Sequence, residues 1–430
     1  MPIFPQEIID IVIDELDSTG GKKSLSTVAL VSRSLLPRAQ FHLFRSVDVS
    51  LSPCRYEDAN DWATFHTFLT KSRSIKSYVR EVFMENIDDT YDSHFGSSWS
   101  CPDESHRDHR MTKAITQRLS TRKMECVSSV LQLLPRLEAI RLNYGTQPRT
   151  TWPHILGDVG VGGRNVLTRF GFEQSMRSLI LCSVKGVPIT VMDSILGLSQ
   201  LTTLVFDNIV LEGEVPIPSW PQKSCLTNLH TVGFVYMTCS YASSRHNLSR
   251  LVNLIISTAS HTIRKLIWST RSEDPPAIQS LHNLQVFSTV TRRPYYLATA
   301  QPILEQIIAS QQKMHPLKTL EFFGMESYHG SILYGADIVK ARRAWKGFDD
   351  LLEDEAFSKV KEVRLLFSDF TGSNLGRVIT RSNTMPAAYE LYTTKEVMSG
   401  FKASLSKATR RGVVFTSGLT YGRDGLVSRY

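Results

Sequence analysis

The chain opens with apolar residues at helical spacing. From Pro5 onward they recur every three or four positions, which predicts an amphipathic helix with acidic residues on its other side. The apolar members are Ile8, Ile9, Val12, Ile13 and Leu16. Proline is tolerated in a first helical turn because its missing N–H would have no partner there. Gly20-Gly21 predicts the end of this helix.

Two further apolar segments follow at once. Leu25 to Val31 predicts a second short helix that ends near Ser34 or Pro37, and Ala39 to Phe44 predicts a third. Three short helices within residues 1–46 make a module whose core is too small to stand alone. We therefore expect this module to dock on another surface.

From residue 47 a different pattern recurs: an upstream apolar residue, most often leucine, is followed three positions later by another apolar residue and, in most copies, by a third two positions after that. The last two residues form an apolar pair whose side chains lie on one face of a strand. The copies end at Leu142, Leu181, Phe206, Phe234, Trp268, Phe287, Phe322 and Leu365, with an early copy over Tyr78 to Met84 and a last one over Gly412 to Thr416. The pattern is typical of leucine-rich repeats.

Helical stretches are predicted between these strands, over Thr112 to Leu134, Thr190 to Leu198, His246 to Thr258 and Pro302 to Met314. Alternating strands and helices predict an α/β fold with a parallel sheet, stacked as an irregular leucine-rich-repeat-like solenoid over 47–430. The copies are unevenly spaced, so insertions are expected, and three polar ones are predicted near 88–110, 146–165 and 324–348. A different α/β fold with several parallel strands remains the alternative. The last helix is predicted from Lys395 to about Arg411, with Gly412 just beyond its end.

The first 46 residues resemble an F-box of the type common in large fungal families. The resemblance is carried by three ordered segments: Phe4-Pro-Gln-Glu-Ile-Ile-Asp-Ile-Val-Ile-Asp-Glu-Leu16, Leu25-Ser-Thr-Val-Ala-Leu-Val-Ser-Arg-Ser34 and Leu36-Pro-Arg-Ala-Gln-Phe-His-Leu-Phe-Arg45. Phe4-Pro5 stands where the family usually has Leu-Pro, and Leu35 where it commonly has Trp. Both replacements are bulky and apolar. The alternative is an ordinary helical cap on the next domain.

The resemblance implies docking onto the Skp-type adaptor of cullin–RING ubiquitin ligases. Carried over position by position, the adaptor contact would involve Phe4, Pro5, Ile8, Ile9, Leu25, Leu30, Val31 and Leu35. The same family often carries degenerate leucine-rich repeats as substrate receptors. An excess of apolar residues over what three short helices can bury also favours an apolar partner groove.

Candidate chemistry along the rest of the chain is weak. His94, Cys101, His106 and His109 lie within sixteen positions but match no zinc-binding spacing, which favours a solvated loop over a metal site. Gly157 to Arg164 lacks the ending of a phosphate-binding loop. No catalytic motif is present, so we expect a non-catalytic protein without cofactor or metal.

Charge refines the expected partners. The chain has 49 Lys and Arg against 41 Asp and Glu, a net charge of +8. Residues 1–46 carry five acidic and five basic residues, so the excess belongs to the remaining chain. This distribution favours an apolar adaptor contact and an acidic target, with nucleic acid as a weaker candidate.

The compartment is inferred from what the chain lacks. Six scattered cysteines do not form a disulfide framework, the start lacks the pattern of a secretory signal, and the most apolar window is interrupted by polar residues. We therefore expect a protein of the cytoplasm or nucleus, without a membrane partner. The expected function is a non-catalytic substrate receptor of a ubiquitin ligase, with a repeat scaffold uncoupled from ubiquitylation as the alternative.

Overall fold

A computed structural model of the chain describes sixteen stretches of sequence. They are residues 5–50, 62–85, 130–131, 133–143, 175–182, 184, 186–207, 209–212, 225–235, 237–239, 245–269, 278–290, 301–309, 316–326, 346–368 and 405–420. The chain divides into two units. The first comprises Met1–Leu201 with Asn208–Glu214, and the second comprises Thr202–Asp207 with Val215–Tyr430.

Helices and strands follow one another along the described chain. The helices are α1 (Gln6–Val31), α2 (Leu36–Arg45), α3 (Trp62–Lys71), α4 (Arg73–Lys76), α5 (Ile189–Leu196), α6 (Arg245–Thr258), α7 (Gln301–Ala309) and α8 (Ser406–Arg410), with a further helical segment over 346–352. The strands are β1 (Ser46–Ser50), β2 (Glu81–Glu85), β3 (Ala139–Asn143), β4 (Ser178–Cys182), β5 (Val187–Pro188), β6 (Thr203–Asp207), β7 (Val210–Glu212), β8 (Thr231–Val235), β9 (Thr238–Cys239), β10 (Lys265–Ser269), β11 (Val286–Val290), β12 (Thr319–Glu326), β13 (Glu362–Ser368) and β14 (Val414–Thr420).

The N-terminal module is a hairpin of two helices, not the three that the sequence predicted. The helix that starts after Pro5 continues through Gly20-Gly21 to Val31, and Ser32 ends it in an extended conformation. Glycine within a helix costs only about 1 kcal/mol relative to alanine. Here residues on both sides of the glycine pair pack against α2, because Ile13 and Leu25 share one cluster with Ala39. The common partner holds both halves of α1 in helical conformation.

In the first unit, four parallel strands lie side by side in the order β1, β2, β3, β4. The apolar pairs are in register, so Val82, Ile140 and Leu179 form one row and Met84, Leu142 and Leu181 the next. All six of these side chains are buried. A short parallel pair, β5 with β7, lies in the same unit.

In the second unit, seven parallel strands lie in the order β6, β8, β10, β11, β12, β13, β14. The register again stacks the apolar pairs, as in the row of Leu266, Phe287, Leu320 and Val363. Aromatic rings fill part of the neighbouring row, where the ring centroids of Phe234 and Trp268 lie 6.3 Å apart. The core of this unit therefore consists of parallel rows that run across the strands.

These strands confirm the predicted α/β class and its parallel sheet. The residues that end the eight central copies, from Leu142 to Leu365, lie in the parallel strands β3, β4, β6, β8 and β10 to β13, and the early and last copies overlap β2 and β14. The predicted helices at Thr190, His246 and Pro302 correspond to α5, α6 and α7, and the end predicted for the last of them, near Met314, lies outside the described residues. Gly412 follows α8 with φ of 80°, as expected for a glycine just beyond a helix end. The solenoid arrangement stays a prediction.

Other sequence predictions meet the structure only in part. Of the insertion predicted near 324–348, residues 324–326 belong to β12 and residues 346–348 are helical, while residues 327–345 lie outside the described residues. The insertions near 88–110 and 146–165 lie outside the described residues. So do nearly all of the helix predicted over 112–134 and the first part of the last predicted helix. Strand β1, Ser46–Ser50, was not predicted from the sequence.

The opposite face of the second unit's sheet is also tightly packed, and it contains a buried charge. Glu321 has only 5% of its side chain exposed, and its carboxylate accepts a hydrogen bond from Ser288 at 2.7 Å. Lys265 and Arg364 each approach the same carboxylate to 3.0 Å. Since both cations come from other strands, they compensate the buried charge and tie β10, β12 and β13 together.

Close packing on this face makes a prediction about Gly233. A Cβ atom at Gly233 would lie 3.0 and 3.2 Å from the Val205 methyl groups and 3.4 Å from Ile267 Cβ. Both neighbours are fully buried and have little room to move. We expect Gly233→Ala to lower the free energy of unfolding by about 1–3 kcal/mol, as overpacking does in other cores. Urea unfolding of the full chain measures the change.

Gly347→Ala is the matched control, since a Cβ atom there would meet nothing within 4 Å. Gly347 lies in the helical segment 346–352, where alanine is preferred over glycine. This control should not lower the free energy of unfolding. Equal effects of the two substitutions would contradict the packing argument.

Candidate functional site

The N-terminal helical hairpin is held by a small apolar core. Ile13, Leu25 and Ala39 are buried at its centre, with 2%, 0% and 0% of their surfaces exposed. Six partly buried side chains pack around them: Ile9, Leu16, Val28, Ala29, Leu35 and Leu43. Leu35 lies in the turn just before α2, and the other residues come from the inward sides of α1 and α2. The hairpin thus has a core without using every apolar residue of α1.

A polar cluster fastens the same two helices. Arg38 of α2 donates two hydrogen bonds to the Asp14 carboxylate of α1, at 2.7 and 2.6 Å. The His42 ring lies between two carboxylates, with Nε2 2.7 Å from Asp14 and Nδ1 2.9 Å from Asp17. Carboxylates only accept hydrogen bonds, so the ring satisfies both when both of its nitrogens carry hydrogen. Paired, bidentate contacts of this kind fix the angle between two helices better than a single ion pair.

The hydrogen bonds from Arg38 have a direct electrostatic consequence. Together with the contact to His42, they lower the pKa of Asp14 from 3.8 to about 2. The pKa of Arg38 is raised, mainly by its hydrogen bonds to Asp14. The pair is therefore fully charged at neutral pH.

The outward side of α1 carries apolar residues that the hairpin does not cover. Near the start of the helix, Ile8, Ile11 and Val12 are 47%, 62% and 55% exposed. In its last turn, Leu30 and Val31 are 88% and 71% exposed. We call these groups the N-terminal patch and the C-terminal patch. From Ile8 to Leu30 the helix rises about 33 Å, at 1.5 Å per residue.

Four of the eight residues predicted to contact the adaptor lie at or beside these patches. Ile8 belongs to the N-terminal patch, next to the exposed Pro5, and Leu30 and Val31 form the C-terminal patch. Ile9 and Leu35 are half-buried against the hairpin core. Phe4 lies outside the described residues.

Leu25 departs from the prediction. It has no exposed surface and packs against α2, so it cannot present its side chain to a partner in this conformation. The reason is the continuous α1 helix, which turns Leu25 towards Ala39. Leu25 therefore stabilises the hairpin that displays the two patches.

Two exposed residues of α1 were not assigned to the contact from the sequence. Ile11 was not singled out, and Val12 was placed on the buried stripe, yet both lie on the outward side. The run Ile8-Ile9-Asp10-Ile11-Val12-Ile13 places apolar residues all around the helix. One partner helix can cover only one side of α1. The apolar residues on the other side were therefore the signal in the sequence that some of them would be exposed.

The two patches can bind an apolar partner surface. Exposed isoleucine, valine and leucine side chains in one helix are unfavourable in water, and full burial of each would contribute about 1.5–3 kcal/mol. The patches consist only of isoleucine, valine and leucine, whose side chains have no group that could act chemically on a bound molecule. A hydrophobic docking surface is therefore the best description of this site.

The buried and the exposed leucine of α1 should respond oppositely to truncation. We expect Leu25→Ala to lower the stability of the hairpin by about 2–5 kcal/mol, because it removes a fully buried side chain. Leu30→Ala makes the same chemical change in the same helix at an 88% exposed position, and should change stability by less than about 0.5 kcal/mol. Hydrogen exchange of the α1 and α2 amides measures both. A large loss of protection in Leu30→Ala would contradict the outward position of this side chain.

The lowered pKa of Asp14 predicts acid sensitivity of the hairpin. Since the folded-state pKa lies below 3.8, the ion pair stabilises the folded hairpin above that value, and the contribution is lost as pH falls towards about 2. In Asp14→Asn, the hairpin amides should lose less of their protection from hydrogen exchange over this pH range than in the unaltered chain. Hydrogen exchange followed by mass spectrometry at stepwise lower pH measures it.

Arg38→Leu provides the second half of this test. It removes the main hydrogen-bond donor to Asp14, so the pKa of Asp14 should return towards its ordinary value. Unchanged acid sensitivity in both variants would mean that another group is responsible.

Three broader findings complete the description of the site. None of the helices among the described residues is long and apolar enough to cross a membrane. Within the same residues, no group of three or more His, Cys, Asp or Glu side chains is arranged to hold a metal ion. His94, Cys101, His106 and His109 lie outside the described part of the chain. No protein-family model and no curated protein matches this chain.

Proposed function

We propose that this protein is a non-catalytic substrate receptor of a cullin–RING ubiquitin ligase. In this proposal, the N-terminal hairpin docks onto a Skp-type adaptor, and the parallel-strand region after residue 46 binds a target protein. Transfer of ubiquitin is then performed by the partners. The receptor contributes by raising the effective concentration of the target near the transferring enzyme.

The observation that carries the proposal is the exposure of five apolar side chains on α1. They are exposed although the hairpin has a filled core of its own, so they are surplus to its folding. The same helix carries most of the F-box resemblance. Both features are those of a helix that lays an apolar side into a partner's groove.

Energetics require that several of these side chains be buried together. Association costs at least several kcal/mol of lost translational and rotational freedom, which one side chain cannot offset. Five apolar side chains, at about 1.5–3 kcal/mol each on full burial, are enough for stable docking. The neutral charge balance of residues 1–46 fits a contact that is mainly apolar.

The proposed target-binding region consists of the strands after residue 46 and the loops between them. In this proposal it is an irregular leucine-rich-repeat-like solenoid, a class of structure that offers long binding surfaces. The proposed place of action is the cytoplasm or nucleus. The second candidate function is a repeat scaffold without a role in ubiquitylation, which the parallel strands alone would equally allow. The two differ in whether the amount of a bound partner rises when the gene is deleted.

The C-terminal patch gives the sharpest test of adaptor docking. We expect Leu30→Lys with Val31→Lys to weaken capture of a purified Skp-type adaptor by at least about 10-fold, because two cations would enter an apolar contact. Lysine is a good helix former and is favourable in a last helical turn, so the helix should persist. Surface plasmon resonance with the full chain measures the affinity.

The control places the same two charges elsewhere. Ser74→Lys with Ser257→Lys changes two exposed positions on other helices and should leave adaptor affinity unchanged. If the full chain binds the adaptor no better than a chain lacking residues 1–46, the proposal fails. If the patch variant binds as tightly as the unaltered chain, this patch is not the contact.

A further inference from the structure

The loops that lead into five strands of the second unit share an unusual composition. They cover residues 225–230, 259–264, 280–285, 316–318 and 358–361 and precede β8, β10, β11, β12 and β13. These loops contain no aspartate or glutamate. They contain one arginine, three lysines and three histidines: Arg264, Lys318, Lys359, Lys361, His230, His261 and His282.

Backbone hydrogen bonds align the last residue of each loop in one row. The N–H of Arg264 donates to the carbonyl of His230 at 2.8 Å, and the N–H of Gln285 donates to that of Arg264 at 2.8 Å. The N–H of Lys318 donates to the carbonyl of Gln285 at 2.8 Å, and the N–H of Lys361 donates to that of Lys318 at 2.9 Å. Neighbouring strands lie about 4.8 Å apart, so Arg264 and Lys361 are separated by about 14 Å at the backbone.

The cations in and beside this row are exposed to solvent. Arg264, Lys318, Lys359 and Lys361 are all exposed, and within the described chain none of them forms an ion pair with an acidic side chain. The nearest acids in sequence are Glu355, four residues before Lys359, and Glu362, whose carboxylate is held by Arg364 at 2.7 Å. We call these four cations the basic edge.

Two other lysines of the same unit differ from the basic edge. Lys265 pairs with the buried Glu321, and Lys407 pairs with Asp350 and Glu353. Those lysines stabilise the fold. Among the described residues the basic edge forms no such ion pair, and four like charges at one edge repel one another unless an anionic partner binds.

We propose that the basic edge binds an acidic segment of a partner protein, with Asp and Glu carboxylates facing Arg264, Lys318 and Lys361. An extended peptide rises about 3.3 Å per residue, so four or five residues span the row. Arginine can hold a carboxylate with two hydrogen bonds, and the lysines act as flexible point charges. That the partner is a ubiquitylation target rests on the proposed function. The binding surface itself does not.

The basic edge suits a peptide better than a nucleic acid. Four permanent cations are fewer than the six to ten phosphate contacts that typically anchor a protein on DNA. The five loops contain no Phe, Trp or Tyr on which a base could stack. The surface is short and linear, which fits a short extended segment.

The test uses the purified full chain and a fluorescent twelve-residue peptide rich in Asp and Glu. The reference peptide has Asn and Gln at the same positions. We expect the acidic peptide to bind at least about 10-fold more tightly than the reference, and binding to weaken as salt is raised. Arg264→Ala with Lys318→Ala and Lys361→Ala should weaken acidic-peptide binding by at least about 10-fold. Equal binding of the two peptides would overturn the proposal.

A charge-matched variant excludes a general effect of net charge. Lys23→Ala with Lys71→Ala and Arg136→Ala also removes one arginine and two lysines, all from exposed positions of the first unit. This variant should bind the acidic peptide like the unaltered chain. An equal loss in both triple variants would overturn the proposal. So would a single-stranded oligonucleotide of the same charge that binds the basic edge more tightly than the peptide.

The two proposals fail separately. Adaptor capture depends on the patches of α1, whereas peptide binding is measured without adaptor. If the chain captures the adaptor but does not bind the acidic peptide, only the proposal that the basic edge is a binding surface is contradicted. If the chain binds the peptide but not the adaptor, the proposed role in a ubiquitin ligase is contradicted and the proposed binding surface is supported.

Discussion

Parallel pairing in register is the constraint on which the second unit depends. Most of its strands have only five residues, and a strand of that length can bury two or three side chains on one face. Such a strand gains stability only when its neighbours continue its apolar rows and satisfy its backbone groups. The row of Leu266, Phe287, Leu320 and Val363 shows the result. On the opposite face, Gly233 leaves room for Val205 and Ile267, and Glu321 joins three strands through charge.

The N-terminal hairpin follows a different principle. Its two helices meet through a small apolar core and the contacts of Asp14 with Arg38 and His42. This arrangement covers one side of α1 and leaves apolar residues on the other. The polar contacts fix the helix angle without consuming the outward residues, so the same helix both folds with α2 and offers a docking surface.

Much of the fold could be predicted from the sequence, because the apolar pairs are a local signal with a local cause. Two side chains separated by one residue point the same way in any strand, so Val232 and Phe234 predicted β8 without knowledge of its neighbours. The end of α1 could not be predicted in the same way. Gly20-Gly21 weakens a helix locally, but whether it ends there depended on contacts of Ile13 and Leu25 with a helix further along the chain.

The candidate sites likewise combine features that are local in the sequence with features that depend on contacts between distant segments. The apolar excess of α1 was visible in the sequence, while the split between its inward and outward residues required the position of α2. Leu25 and Leu30 look alike in the sequence and are opposite in exposure. The basic edge was even less visible, since Arg264, Lys318 and Lys361 are 54 and 43 residues apart along the chain and meet only through strand pairing.

The alignment of the leading loops has a consequence for how binding preference can change. Each loop contributes one outward side chain to the row, and the hydrogen bonds that align the row involve only backbone atoms. Replacing Gln285 or Lys318 would therefore alter which ligand is preferred while leaving the apolar rows intact. The residue that precedes each strand can thus be substituted independently of the others in the row. A protein built in this way can acquire a new partner by a few substitutions, without a new fold.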